Sequence, residues 1–236
     1  MTVMSANDPN LAKVELIAEA IGELADDLVF VGGCAAGLLI TDPAAPPVRV
    51  TYDVDLLVQV ASRADYHHTE KRLAAKGFTH DLSPDAPICR WVFNALEVDL
   101  MPTDASILGF SNRWYTHAIE TATLLPLPSG RRIRLIAAPA FIATKFEAFN
   151  DRGKRDMLGS HDLEDILNIV EGRLTLVTEI EAEPATVRTY IREAFAALQA
   201  QPNFGDYLPG LLAPDALLDA RTAIVRRRID AISSIG

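Results

Sequence analysis

The chain has 236 residues, 49% of them hydrophobic, and a formal net charge of −10. That is enough to bury a sizeable core in one large domain or two small ones. The acidic balance excludes a bulk attraction for polyanions, so any nucleic-acid contact has to come from local basic patches, and the two cysteines, Cys34 and Cys89, exclude a disulfide framework or a zinc cluster.

Residues 1–10 are polar and lack the basic start and apolar core of a secretory signal. No apolar run approaches the roughly 18 residues of a membrane span. The expected location is the cytoplasm, with no membrane partner. Residues 11–24 carry Leu11, Val14, Ile17, Ala18, Ile21 and Leu24 at helical spacing. Residues 28–31 read as a short strand that stops at Gly32-Gly33, and 34–40 as a helix. A proline-rich loop, 41–47, leads through Thr51-Tyr52-Asp53 into an apolar strand, 54–60. Ser62 caps a helix that runs to about Lys76 and ends at Gly77. A strand begins at 78–80. Residues 89–93 and 96–101 read as a hairpin around Asn94-Ala95, and 124–127 with 133–136 as another around Pro128-Ser129-Gly130. After Pro139 only helices are expected: 141–150, 161–171, 184–200 and 214–232. The expected fold is therefore α/β (α+β), a small mixed sheet flanked by helices and followed by an all-helical C-terminal domain. The expected domains are residues 1–137 and 138–236.

Three groups of residues carry chemistry. Asp53 and Asp55 stand one residue apart on a strand, so both point to the same face. That face cannot be apolar core unless the charges are paired or hold a cation. Mg²⁺ takes an octahedron of oxygens, usually one or two carboxylates plus substrate phosphates. Asp99 can reach the same ion from a neighbouring strand and serve as base toward an attacking hydroxyl, with Glu97 on its face as a fallback. Gly32-Gly33 ends a strand and opens a helix, which lets backbone N–H groups approach phosphate oxygens; a plain tight turn is the other reading. Lys145 and Arg152 lie seven apart, near one face if the helix extends that far. A lysine facing a cleft would neutralise triphosphate charge. Equally, Ser160 as an N-cap with Asp162 in the first turn is good helix-start chemistry in its own right. The arginines Arg131, Arg132, Arg134 and Arg226, Arg227, Arg228 read as solvated faces or basic patches. His67 and His68 read as surface residues, Trp91 and Trp114 as core.

Taken together, these stretches resemble the nucleotidyltransferase superfamily with a DNA-polymerase-β-type palm, and more closely the AbiEii/AbiGii toxin family and its MenT relatives. The matching residues are Phe30-Val31-Gly32-Gly33, Arg49-Val50-Thr51-Tyr52-Asp53-Val54-Asp55, Glu97-Val98-Asp99-Leu100-Met101-Pro102, then Lys145 with Glu147-Ala148, Arg152, and Ser160 to Ile166. They span about 28–171 in family order. The resemblance implies an enzyme that transfers a nucleoside monophosphate from an NTP to an acceptor hydroxyl, with pyrophosphate leaving. Asp53, Asp55 and Asp99 would be the Mg²⁺ ligands. Gly32, Gly33, Thr51, Lys145 and Arg152 would touch the nucleotide, and Asp162 would complete the pocket with the C-terminal domain. A tRNA 3′ end is one acceptor it implies and a cognate antitoxin one partner. An antibiotic-type small-molecule acceptor and a catalytically silent nucleotide-binding fold are the alternatives. Two departures stand out: Gly33 replaces the serine many relatives carry, and His161 precedes Asp162 where some relatives carry Lys or Arg.

Overall fold

The computed structural model describes residues 8–153 and 157–236, with residues 152 and 153 described by their backbone alone. The chain divides into two units. One, of mixed α/β structure, is built from Asp8–Leu38 and Arg49–Ala137. The other is helical and combines Ala138–Gly236 with the excursion Leu39–Val48. A mixed sheet with helices followed by a helical region is the class the sequence led one to expect.

In the α/β unit the order is α1 (Leu11–Ile21), β1 (Leu28–Val31), α2 (Gly32–Leu39), β2 (Asp53–Val58), α3 (Arg63–Ala75), β3 (Thr79–His80), β4 (Arg90–Phe93), β5 (Leu96–Pro102), α4 (Ala105–Leu108), α5 (Tyr115–Glu120), β6 (Thr123–Pro126) and β7 (Arg132–Leu135). The seven strands form one sheet in the order β3-β4-β5-β2-β1-β7-β6. β2 runs parallel to β5, and β1 parallel to β7; the other neighbours are antiparallel. β1 is buried at all four positions, as its uninterrupted Leu-Val-Phe-Val run requires of a central strand. β2 instead keeps Asp53 and Asp55 half-buried while Val54, Leu56, Leu57 and Val58 are buried, so its polar end lies at its start.

Local signals act as expected where they are strong. The Ser62 hydroxyl accepts from the Asp65 N–H and starts α3, and Gly77, at φ +90°, follows its end. The β4–β5 turn places Asn94 at φ 48° and Ala95 at φ 64°. Two left-handed residues make the hairpin turn whose twist suits antiparallel strands. Alanine is costly there, by about 1–2 kcal/mol. Ala95→Gly removes that strain but frees the unfolded chain, at a cost of about 0.5–1 kcal/mol. The expected net is a stabilisation of about 0.5 kcal/mol, read as a raised urea midpoint; a lowered midpoint would contradict this turn geometry.

The helical unit contains α6 (Ala138–Ala148), continued by a π-helical turn (Phe149–Gly153), then α7 (His161–Gly172), α8 (Leu176–Glu181), α9 (Ala185–Gln199), α10 (Phe204–Tyr207) and α11 (Leu218–Ser233). Leu163, Ile166, Leu167 and Val170 form the buried stripe of α7. Phe146 of α6 meets Phe195 of α9 edge to face, with centroids 4.8 Å apart. At the end of α7, Arg221 of α11 grips Glu171 (Nη2–Oε2 2.9 Å) and also bonds Asp215 at 2.9 Å. Arg228 donates to the Val170 and Glu171 carbonyls there, which places a cation on a helix C-terminus. No described helix is long and apolar enough to cross a membrane.

Candidate metal centre

The site is a product of strand register. Parallel pairing sets Asp53 beside Glu97 and Asp55 beside Asp99. Because side chains alternate, all four carboxylates share one face of the sheet. One oxygen each of Asp53, Asp55 and Asp99 lies within 4.8 Å of the others, the one such group among the described residues. Asp99 is buried at 8% exposure, which is a hard place to keep a carboxylate without a cation.

Part of that cation charge comes from Arg90, which the sequence reading did not single out. Antiparallel pairing puts Arg90 opposite Asp99. Its guanidinium bonds both Asp99 oxygens (Nε–Oδ1 2.8 Å, Nη2–Oδ2 2.8 Å), reaches Glu97 through Nη1 at 2.6 Å, and stands 3.5 Å from Asp53. The hydrogen bonds to Asp99 push the Arg90 guanidinium above its usual value, outweighing the opposite effect of burial. A signal for this residue was present. In a hairpin turned at Asn94-Ala95, counting back symmetrically from the turn sets Arg90 against Asp99.

Asp55 is placed by a glycine. Gly32 has φ +66°, and a Cβ built there would sit 1.7 Å from Asp55 Oδ2. The Asp55 carboxylate thus lies against the first residue of α2, where the orphan N–H groups of a helix start favour negative charge. Gly33 is buried just behind it. The strand leading to Asp53 is anchored from below. Buried Asn10 accepts the Thr51 N–H at 2.9 Å and donates to the Arg49 carbonyl at 2.9 Å, and Lys13 donates to the Thr51 carbonyl. Thr51 itself is 1% exposed, its hydroxyl near Asn10 Oδ1 and the Asp53 carbonyl. Its observed job is to fix the strand entry.

The donor set is all carboxylate oxygen, the chemistry Mg²⁺ prefers. A guanidinium already lies on Asp53 and Asp99 as a stand-in cation. The residues therefore fit a divalent metal. Neither cysteine competes as a ligand: burial, then the Asp99 charge, pushes the Cys89 thiol up to about 12, and burial raises Cys34 further still.

The remaining site candidates lie in the helical unit. Lys145 of α6 bonds Asp162 at 3.1 Å and Asp165 at 2.7 Å, both on α7. Asp165 is fully buried and is the nearer partner, a residue the sequence reading passed over in favour of Asp162. Ser160 accepts from the Leu163 N–H and is the N-cap expected. The Arg152 side chain lies outside the described residues. Asp165→Asn keeps the shape and leaves Lys145 the Asp162 carboxylate, so the expected cost is that of one charged hydrogen bond, about 1.5–3 kcal/mol. Asp162→Asn, at the rim of the same pair, should cost less. A urea series in which the two rank the other way would overturn this assignment.

The basic residues and histidines resolve individually. Arg131 pairs with Glu19 at 2.7 Å, Arg134 donates to the Ile119 carbonyl, and Arg226 to the Gly205 carbonyl. His67 is exposed but contacts Glu70 at 3.0 Å, and Glu70 also meets His80 at 3.3 Å. Trp91 is buried and Trp114 half-buried.

No family model matches this chain, and no curated protein does. Among solved structures it is similar to the antibiotic-resistance factor ANT(2'')-Ia, with 17% identity and a TM-score of 0.47, covering 80% of this chain and 96% of that one. It is also similar to JHP933 from Helicobacter pylori, with 13% identity and a TM-score of 0.46, covering 96% and 93%. At such identities and scores neither likeness assigns a chemistry.

Proposed function

We propose that this chain is a divalent-metal-dependent nucleotidyltransferase, with Mg²⁺ as the metal and an NTP as donor. The observation that supports it is the carboxylate cluster of Asp53, Asp55 and Asp99, drawn together by register beside the glycine start of α2. In such a transfer an acceptor hydroxyl oxygen bonds to the α-phosphorus as the α–β bridging bond breaks, and pyrophosphate leaves. Negative charge gathers on the phosphoryl oxygens, so positioning and charge neutralisation supply most of the rate. Asp53 and Asp55 would hold the metal, with Asp99 as third ligand and helper in activating the hydroxyl. The orphan N–H groups at Gly32 and Gly33 would receive phosphate. In this reading Lys145, Arg152, Thr51 and Asp162 keep the nucleotide roles implied by the family resemblance. A Lys145→Met protein that folds and binds ATP normally would remove Lys145 from them.

The acceptor divides the proposal. The AbiEii/MenT-like resemblance favours RNA, with a tRNA 3′ end as substrate and an antitoxin as partner in the cytoplasm. Two features favour a small hydroxyl compound instead: the net charge of −10, and the engagement of Arg131, Arg134, Arg226 and Arg228 in contacts within the chain. Glu19 offsets the charge of Arg131, and carbonyl contacts fix the side chains of Arg134, Arg226 and Arg228.

The test is transfer from each of four α-labelled NTPs with Mg²⁺, offered total RNA in one arm and a panel of small hydroxyl compounds in the other. Label in RNA establishes the first acceptor class, label in a small molecule the second. NTP and Mg²⁺ binding without pyrophosphate release in any arm would reduce the protein to a nucleotide-binding fold.

A further inference from the structure

Arg90 is not required by any step of phosphoryl transfer, yet its guanidinium lies among three carboxylates of the sheet face. All three of its guanidinium nitrogens are committed to carboxylates: Nε and Nη2 to Asp99 and Nη1 to Glu97, with Asp53 at 3.5 Å from Nη2. Its side chain is 17% exposed, so this positive charge lies inside the cluster. Four carboxylates on one face would repel one another strongly without it.

We infer that Arg90 is a built-in counter-cation that competes with the divalent metal for Asp53 and Asp99, so that the free protein binds metal weakly and takes it up together with the triphosphate. This rests on the metal reading given above. A carboxylate offers about four lone-pair positions, and the bidentate grip on Asp99 takes two of them. A dication entering the cluster meets a fixed positive charge within a few ångströms as well as three negative ones. The phosphates of a nucleotide add negative charge and restore the balance, and Asp53, whose 3.5 Å contact is the longest that Arg90 makes in the cluster, is the partner that yields first. Arg90 is thus a positioning residue: it orders Asp99 and Glu97 and sets the metal affinity, without touching the reacting atoms.

Mn²⁺ is the probe, followed by electron paramagnetic resonance of the free ion on the full chain. In the absence of nucleotide, Arg90→Gln should bind Mn²⁺ on the order of tenfold more tightly than the parent protein, the size of one partly screened charge contact. With a non-hydrolysable NTP present, the gap between the two proteins should narrow. Should Arg90→Gln fail to fold without metal, Arg90→Lys keeps a charge but loses the three-way fork, and it should tighten Mn²⁺ binding by a smaller factor. Thermal melting gives a second readout: added Mn²⁺ should raise the melting temperature of the Arg90 variant by more than that of the parent. A folded Arg90 variant with unchanged or weaker Mn²⁺ affinity would overturn the inference and leave Arg90 a structural strut. Absence of Mn²⁺ binding in every protein, with and without nucleotide, would instead overturn the metal reading itself.

Discussion

Asp53→Asn is expected to lower pyrophosphate release on the order of a hundred- to a thousandfold, the size of effect seen when one electrostatic element of a preorganised site is removed. The amide keeps the shape of the side chain and one oxygen, but it loses the full charge that a dication needs. The fold should not suffer. The Asp53 side chain is 35% exposed, and its contact with Arg90 is long, at 3.5 Å. A long, half-buried pair of that kind is worth on the order of 1 kcal/mol, and removing one of four neighbouring carboxylates relieves repulsion. The melting temperature should therefore hold or rise slightly while turnover collapses. Normal turnover in a well-folded Asp53→Asn protein would mean that this aspartate holds no metal. Collapse of both turnover and melting temperature would make Asp53 a structural residue.

Gly32→Ala should damage stability and turnover together. A left-handed alanine costs about 1–2 kcal/mol. The new methyl would also stand 1.7 Å from Asp55 Oδ2, 2.4 Å from its Cγ and 2.8 Å from its Cβ, so Asp55 must move. Overpacking of this kind costs about 1–3 kcal/mol, giving a total loss of about 2–5 kcal/mol. Displacing Asp55 takes a ligand from the cluster, so pyrophosphate release should fall as far as in a direct Asp55 variant. The double variant Gly32→Ala with Asp55→Ala separates the two costs. It removes the two shortest clashes, so it should recover the packing part of the stability loss and none of the activity. Strict additivity of the two stability losses in urea melts would show that the clash is not their source.

The difference between what could and could not be read ahead follows from how local each signal is. Asp53 and Asp55 were legible because strand alternation alone puts them on one face, and Asp99 because its apolar run had to be a strand. Gly32 was legible as a turn, but its tight fit to Asp55 is a contact across two strands that no local pattern encodes. Arg90 is a single charge within the strand run 89–93, and only the hairpin symmetry about Asn94-Ala95 sets it opposite Asp99. Asp162 and Asp165, three apart on α7, present the same face to Lys145, and sequence spacing could not say that the second is the buried one. Helices α4, α5, α8 and α10 span four to six residues each, too short to show a period. The last helix starts at Leu218 rather than near Pro214, because Asp215 first accepts the Leu217 N–H in a turn and pairs with Arg221. The excursion Leu39–Val48 belongs to the helical unit through long-range bonds, Thr41 and Asp42 N–H both reaching the Gly172 carbonyl at 2.9 Å. The prolines of 41–47 mark a loop but not the unit it packs with.

In the proposed enzyme Asp53, Asp55 and Asp99 hold a divalent metal against a nucleotide. The most direct test of this is anomalous diffraction from crystals grown with Mn²⁺ and a non-hydrolysable NTP. The expected result is an anomalous peak at coordination distance from the carboxylates of Asp53 and Asp55, with triphosphate oxygens completing the shell. A nucleotide bound with its metal elsewhere, or a cluster still held only by Arg90 at saturating Mn²⁺ and nucleotide, would contradict it.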